Sequence, residues 1–381
     1  MHSTHPGYTE AHALYRDTLR RWVADEITPF VDDWDEAGGF PRELYNRAAE
    51  IGLLGLGFPP EYGGIEADRF FVIIGAQELA RAGAGGLSAS LLSHTIGAPP
   101  IVNGANEALK RAVLADILMG RKISALAITE PGGGSDVANL KTTAVRDGDD
   151  YILNGSKTFI TSGMRADYIT VAVRTGAAGR AGISLILVPT DTPGFSRTPL
   201  DRKMGWWCSD TATLYFDDCR VPATHLLGTE NAGFRLIMDN FNSERLWLAA
   251  ACNGFAQVCF DEAIAYARER QTFGTALIHH QVIRHKLADM AQRIRATQAY
   301  LEQIAWQIDH AQNPIADVCL LKNQATQTME FCAREGVQIF GGAGYLRGAK
   351  VERIYREVRV NAIGGGAEEI MRDLAVRQMG L

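Results

Sequence analysis

Glu244 is the residue of this chain best placed to move a proton. It lies on one helical stripe with Phe234, Ile237, Met238, Phe241 and Leu248. A carboxylate on an apolar face is costly unless it is paired or functional. The same burial would raise its pKa toward the range of a general base. Arg245 stands beside it, so the residues alone fit a structural ion pair at a helix contact better than a catalytic group. Two glycine clusters, Gly132-Gly133-Gly134 and Gly341-Gly342-Ala343-Gly344, permit close backbone approach to a ligand. Neither sits in a strand–GxGxxG–helix context, so no nicotinamide-dinucleotide fingerprint is present. Arg268 and Arg270 offer guanidinium groups suited to phosphate oxygens. In isolation an arginine-rich helix face is more often merely solvated.

Metal chemistry has little support. Cys208, Cys219, Cys252, Cys259, Cys319 and Cys332 are scattered without CxxC spacing, and His279-His280 with His285 match no zinc pattern. Free thiols in a reducing, cytoplasmic compartment are the better expectation. A net charge of -6 argues against a nucleic-acid binder. No apolar run reaches the roughly 18 residues that span a bilayer. The start, Met1-His2-Ser3-Thr4-His5-Pro6, lacks the basic and apolar regions of a secretory signal.

Three regions must position these groups, and 381 residues suffice to bury a substantial core in each. Residues 1–122 read as a helical domain, with Leu14, Leu19 and Val23 on one face and a break at Pro59-Pro60-Glu61-Tyr62-Gly63-Gly64. Residues 123–230 read as a middle β domain. Its β-rich runs 168–173, 182–188 and 211–216 are separated by turn signals at Asp147-Gly148, Asn154-Gly155 and Pro193-Gly194. Strands without intervening helices predict an antiparallel sheet or barrel. Residues 231–381 read as a C-terminal helical bundle, helical from Gly233 almost to Gly341, with a loop at Asn313-Pro314.

The wording of several segments carries a family resemblance. Ala127-Ile128-Thr129-Glu130-Pro131-Gly132-Gly133-Gly134-Ser135-Asp136 resembles the first signature of the acyl-CoA dehydrogenases, and Asn154-Gly155-Ser156-Lys157-Thr158-Phe159-Ile160-Thr161-Ser162-Gly163 resembles the next. Arg268-Glu269-Arg270-Gln271-Thr272-Phe273-Gly274 and the tail Val360-Asn361-Ala362-Ile363-Gly364-Gly365-Gly366 complete the likeness, which covers nearly the whole chain. It implies a mainly α fold with a β insert: an N-terminal helical domain, a middle antiparallel β domain and a C-terminal four-helix bundle.

The resemblance also implies chemistry. It places Ile128, Thr129, Phe159 and Thr161 on the flavin of FAD, with Ser135 on the flavin phosphate or the substrate side. Most members carry tryptophan where this chain has Phe159. Arg270, Thr272, Phe273, Gln281, Gln338, Gly341 and Gly342 would bind the pyrophosphate and adenosine of a neighbouring protomer's FAD, so a homo-oligomer, as a tetramer, is expected. Phe241, Asn242, Arg245, Gly364 and Gly365 would join Ser135 around an acyl-CoA.

Many members place the catalytic glutamate at the position of Gly365. Here Glu244 takes the alternative site of the isovaleryl and long-chain branches, and the odds on its role reverse. The implied reaction removes the α-proton of an acyl thioester and transfers hydride from Cβ to the flavin, giving the trans-2-enoyl thioester. Two missing tail side chains leave room for medium, long or methyl-branched acyl groups. Electron-transferring flavoprotein is the implied acceptor. A flavin oxidase or monooxygenase on the same scaffold is the alternative, though nitroalkane oxidases place an aspartate at the tail.

Overall fold

The computed structural model describes residues 5–381, so the reading of Met1 to Thr4 lies outside the described residues. The first block is helical: α1 (Glu10–Trp22), α2 (Val31–Ala37), α3 (Glu43–Glu50), α4 (Arg69–Ala80), α5 (Gly85–Leu91), α6 (His94–Gly97), α7 (Pro99–Gly104) and α8 (Glu107–Leu118). Local chemistry sets several starts. The Asp68 carboxylate accepts the N–H groups of Phe70 and Phe71 at the head of α4, and Asn106 accepts that of Leu109 at the head of α8. Leu19 and Val23 are buried as the pattern predicts, but Leu14 is exposed because it falls on the outer face of α1.

The chain then builds one eight-stranded sheet from β1 (Ser124–Ala127), β2 (Thr143–Asp147), β3 (Asp150–Thr161), β4 (Tyr168–Arg174), β5 (Ile183–Pro189), β6 (Phe195–Pro199), β7 (Thr211–Pro222) and β8 (Leu226–Leu227). The order is β6-β7-β3-β2-β4-β5-β8, with β1 beside β4. Most pairs are antiparallel, as expected. However, β1 and β2 run parallel to β4, which a crossover through the β2–β3 hairpin permits. Asn154-Gly155 is not a turn. It is a bulge inside β3, with Gly155 at φ +141° pressed against Thr142.

The last block begins with α9 (Gly233–Glu269), followed by the hairpin β9 (Gln271–Thr272) and β10 (Thr275–Ala276). Then come α10 (Gln281–Asp309), α11 (Ile315–Phe340), α12 (Lys350–Ile363) and α13 (Glu368–Gln378). The hairpin interrupts the helical run that the sequence predicts there. Residues 249–256 of α9 are buried all round, as befits the central helix of a bundle. Small residues make that possible: a Cβ on Gly254 would lie 2.8 Å from the Cβ of Ala80, so α9 and α4 nearly touch. One apolar cluster joins α4, α9, α10, α11 and α12. Another joins α8, the sheet residues Ile183, Leu185 and Leu187, and the first turns of α9.

Candidate active site

Two loops of the sheet are bolted together by a buried ion pair that the sequence reading did not single out. Lys157 on β3 is fully buried, and its Nζ donates to the Ile128 carbonyl at 3.0 Å and to Glu130 Oε1 at 2.8 Å. The Glu130 carboxylate also accepts the N–H groups of Lys141 (2.6 Å) and Thr142 (2.8 Å). Burial pushes this carboxyl up, yet Lys157 and Thr142 together hold it at about 2. Thr158 donates its N–H to the Thr129 carbonyl at 2.9 Å, so residues 127–136 lie against residues 154–163. A lysine inside an otherwise apolar strand face was the available signal.

On that shared floor, Ile128 is buried and Thr129 half-buried. The loop beyond folds back so that a Cβ on Gly134 would sit 3.4 Å from Thr129 Cγ2, while Gly132 and Gly133 face open space and Ser135 is exposed. A second bulge sets Thr158 and Phe159 opposite the single residue Thr213 of β7. Phe159 adopts φ +59° and is 69% exposed. A bulky residue in the left-handed region is a strained conformation of the kind found at ligand sites. Thr161 is half-buried at the end of the same strand.

The first turns of α9 carry the other half. Phe234, Met238 and Phe241 pack with Ile237 on the cluster that includes Ile128, which ties the helix to the loop. Three residues on, Glu244 places Oε2 in a buried position without a hydrogen-bond partner. Burial raises its carboxyl to about 7 against the opposing pull of Arg245 and then Lys322. Across from it lies the turn between α12 and α13. A Cβ on Gly365 would stand 3.8 Å from Glu244 Oε1 and 3.5 Å from Leu248 Cδ1. Arg245 is not paired to Glu244: its Nε donates to the Gly365 carbonyl at 3.1 Å, Nη1 to Asn242 Oδ1 at 3.0 Å, and the guanidinium lies 5.6 Å from the Phe241 ring. This corrects the simple ion-pair reading. Phe241, Asn242, Glu244, Arg245, Gly364 and Gly365 thus converge.

Seven other candidates sit elsewhere. Arg270 ends α9, and at 1.5 Å per residue that helix carries it roughly 39 Å from Glu244. Thr272 bonds His280 at 2.9 Å within the β9–β10 corner, Gln281 opens α10, and Phe273 at the hairpin tip is wholly exposed. Tyr266 stacks on Phe340 at 4.3 Å, which draws Gln338, Gly341 and Gly342 to this same end, where both glycines face open space. One chain therefore does not gather all the candidates into one site. Among the described residues no group of three or more His, Cys, Asp or Glu could hold a metal ion, and no helix is long and apolar enough to cross a membrane.

Comparison with known proteins agrees with this architecture along the whole chain. The acyl-CoA dehydrogenase N-terminal, middle and C-terminal domain families match residues 9–121, 125–219 and 231–380. An acyl-CoA dehydrogenase of Alternaria alternata, AFT10-1, is 38% identical over 97% of this chain and 92% of its own. The mitochondrial long-chain specific acyl-CoA dehydrogenase of Rattus norvegicus is 34% identical over 98% and 87%. Among solved structures, a probable acyl-CoA dehydrogenase from Mycobacterium abscessus superposes with a TM-score of 0.96 at 43% identity, covering 98% of this chain and 99% of its own. A glutaryl-CoA dehydrogenase from Mycobacterium smegmatis in complex with FADH2 superposes at 0.93 with 26% identity, covering 98% and 96%. With three domain families matched in order and relatives above 30% identity over nearly its full length, this chain belongs to the acyl-CoA dehydrogenase family.

Proposed function

We propose that this FAD-dependent acyl-CoA dehydrogenase uses Glu244 as its catalytic base. The observation that carries the reading is that Glu244 sets Oε1 beside a tail turn with no side chain of its own and keeps Oε2 buried and unpartnered. A carboxyl raised to about 7 by burial is poised to accept a proton near neutral pH. In this reading Oε2 takes the α-proton of the acyl thioester. The Gly365 N–H, present although the side chain is absent, donates to the thioester carbonyl and acidifies that carbon.

The residues present fit an FAD. Phe159 offers an exposed ring, Gly132 and Gly133 leave backbone open beside Thr129, and Gly341 and Gly342 do the same at the far end of the bundle. When bound, FAD supplies the hydride acceptor for the substrate Cβ. Ile128, Thr129, Phe159 and Thr161 would line the flavin and Ser135 its phosphate or the acyl-CoA. Arg270, Thr272, Phe273, Gln281, Gln338, Gly341 and Gly342 would hold the adenosine end of the FAD of a second protomer. The separation of the two sets along α9 supports that sharing and so at least a dimer; a tetramer formed as a dimer of dimers belongs to the same reading. Domain limits at 122 and 230, re-oxidation by electron-transferring flavoprotein and a cytoplasmic setting belong to the same reading.

Medium, long or methyl-branched acyl groups are the substrates this site favours. Gly364 and Gly365 leave the Cα–Cβ side of the pocket uncrowded, and each added buried methylene is worth about 0.8 kcal/mol. Comparing kcat/KM for butyryl-, octanoyl-, palmitoyl- and isovaleryl-CoA tests this, and a clear butyryl preference would refute it. The base assignment is tested by adding acyl-CoA without oxygen: bleaching of the flavin is expected in the wild type and not in Glu244→Gln.

A further inference from the structure

Two buried cations reach one turn of backbone from different helices. The turn Gly364-Gly365-Gly366 leaves α12 and enters α13 with Gly365 at φ +66° and Gly366 at φ +108°. A Cβ on Gly366 would collide with Met371 Cε at 2.4 Å, so the turn is packed on its far side. The Gly365 carbonyl accepts from Arg245 Nε, and the next carbonyl, that of Gly366, accepts from Lys322 Nζ at 2.8 Å. Lys322 lies in the middle of α11 on a fully buried stripe with Cys319, Thr326 and Met329. Its neighbour Asn323 donates to the Glu368 carbonyl at 2.9 Å, a second tether from α11 to the same segment.

A buried ammonium is expensive unless paired. Among the described residues, neither Lys322 nor Arg245 has a carboxylate oxygen within salt-bridge distance. Glu368, which faces Lys322 from α13, instead holds Arg372 at 2.9 Å. From α9 the groups that face Lys322 are Glu244, Arg245 and Cys252, and on its own helix Cys319. Lys322 and Arg245 thus stand near Glu244, whose Oε2 is unpartnered, with Glu368 a second carboxylate near Lys322, and burial pulls the Lys322 ammonium down to about 8. Cations beside the turn suit a centre that must hold a carboxylate ready and then tolerate negative charge on a thioester.

We propose that Lys322 is a positioning residue, which pins the Gly364–Gly366 turn opposite Glu244 through the Gly366 carbonyl. The Glu244 carboxyl, which burial raises and Arg245 and then Lys322 pull back down, reports on that placement. The proposal rests on the reading of Glu244 as the base. It assigns to Lys322 no contact with substrate.

The test uses the purified holoenzyme with Lys322→Met, which removes donor and charge, and Lys322→Arg, which keeps both. In each background the infrared difference between Glu244 and Glu244→Gln reads the carboxyl against pH, independently of turnover. In Lys322→Met that titration and the acid limb of kcat/KM are expected to move up by about one unit, equal to a tenfold change in the protonation equilibrium. The kcat should fall while KM changes less, and Lys322→Arg should restore most of both. A Glu244 carboxyl that titrates alike in wild type and Lys322→Met overturns the proposal. So does an equal loss of Tm in both variants with unmoved pH profiles, which would make Lys322 a packing residue. Should Lys322→Met not accumulate as holoenzyme, Lys322→Gln removes the charge but keeps an amide donor, and an unshifted carboxyl there overturns the idea equally. Near-normal turnover in Glu244→Gln alone would instead sink the base assignment, and the infrared titration would still report on Lys322.

Discussion

Glu244 and Glu357 are both pushed by burial to about 7, yet the rest of their surroundings differ. Glu357 on α12 sits where all three blocks meet. Its Oε2 accepts the Gly85 N–H at 2.6 Å, its Oε1 accepts the Trp206 N–H at 3.1 Å, and Asp35, Arg353 and Arg356 crowd around it. Asp35 in turn accepts the Cys208 N–H at 3.2 Å and pairs with Arg356 at 3.3 Å. Both oxygens of Glu357 are spoken for. Glu244 keeps one oxygen buried and unpartnered beside a turn without side chains. Desolvation alone flags both carboxyls. An account of hydrogen-bond partners separates the one that clamps the fold from the one free to take a proton.

The sharpest way to break that contrast is to neutralise each carboxyl. Glu244→Gln should lower turnover by roughly two to four orders of magnitude while FAD stays bound, and near-normal turnover would show Glu244 to be structural too. Stability should move the other way. An unfolded glutamate titrates near about 4.3, and the folded one at about 7, so the native state holds the proton more tightly between those values. Its stabilising contribution is complete below the unfolded pKa and is lost as pH rises through 7. The neutral variant should therefore gain Tm over wild type at pH 8 but not at pH 4. Wild-type kcat/KM should fall on the acid side of about 7.

Further from the chemistry the expected effects shrink. Arg270→Ala removes a proposed charge-assisted phosphate contact of about 1.5–3 kcal/mol, roughly ten- to a hundredfold in FAD affinity. Equilibrium dialysis would detect it, and unchanged retention would detach this end of α9 from the cofactor. Glu357→Gln leaves two backbone N–H groups facing an amide that can accept only one of them well. The cost expected is about 1–3 kcal/mol of stability; because the raised Glu357 carboxyl itself destabilises the wild type above about 7, it is read at pH 5 as a lower denaturation midpoint, with the pH profile of turnover unmoved. A shifted profile would mean that Glu357 shares the chemistry.

Much of this architecture is legible from residue order. The helical reading of residues 1–122 holds over α4 and α8, whose starts the structure fixes with the caps at Asp68 and Asn106. The inward side of α9 follows from the stripe that includes Glu244. What periodicity misses are features made by distant residues. The parallel pairing of β1 with β4 depends on a crossover that no local pattern encodes. Asn154-Gly155 reads as a turn because its types suit one, but β7 continues alongside and absorbs it as a bulge. The Glu130–Lys157 and Lys322–Gly366 contacts join segments 27 and 44 residues apart, and only the oddity of a lysine on an apolar face hints at them. Arg245 beside Glu244 suggests a pair, whereas the helix points the guanidinium at Gly365.

Gly365 gives the finest test of the proposed base, because a side chain there would stand next to Glu244. A Cβ there meets Leu248 and Glu244 only at ordinary contact distances of 3.5 and 3.8 Å, so space does not exclude a side chain. The backbone does oppose one: φ is +66°, where an L-residue costs about 1–2 kcal/mol. Gly365→Ala should accordingly lose about that much stability, or, where the turn relaxes instead, roughly 5–30-fold in kcat/KM as its N–H leaves the position proposed for it at the thioester carbonyl. The second outcome is expected if Arg245 and Lys322 hold the turn less firmly than the left-handed strain pushes it. Gly365→Glu in a Glu244→Gln background should then restore little turnover, since a tail carboxylate would be delivered on the same strained backbone. Full restoration would show that the turn can adopt the geometry of a glutamate-bearing tail without penalty, and that Glu244 is one of two interchangeable placements of a single carboxylate.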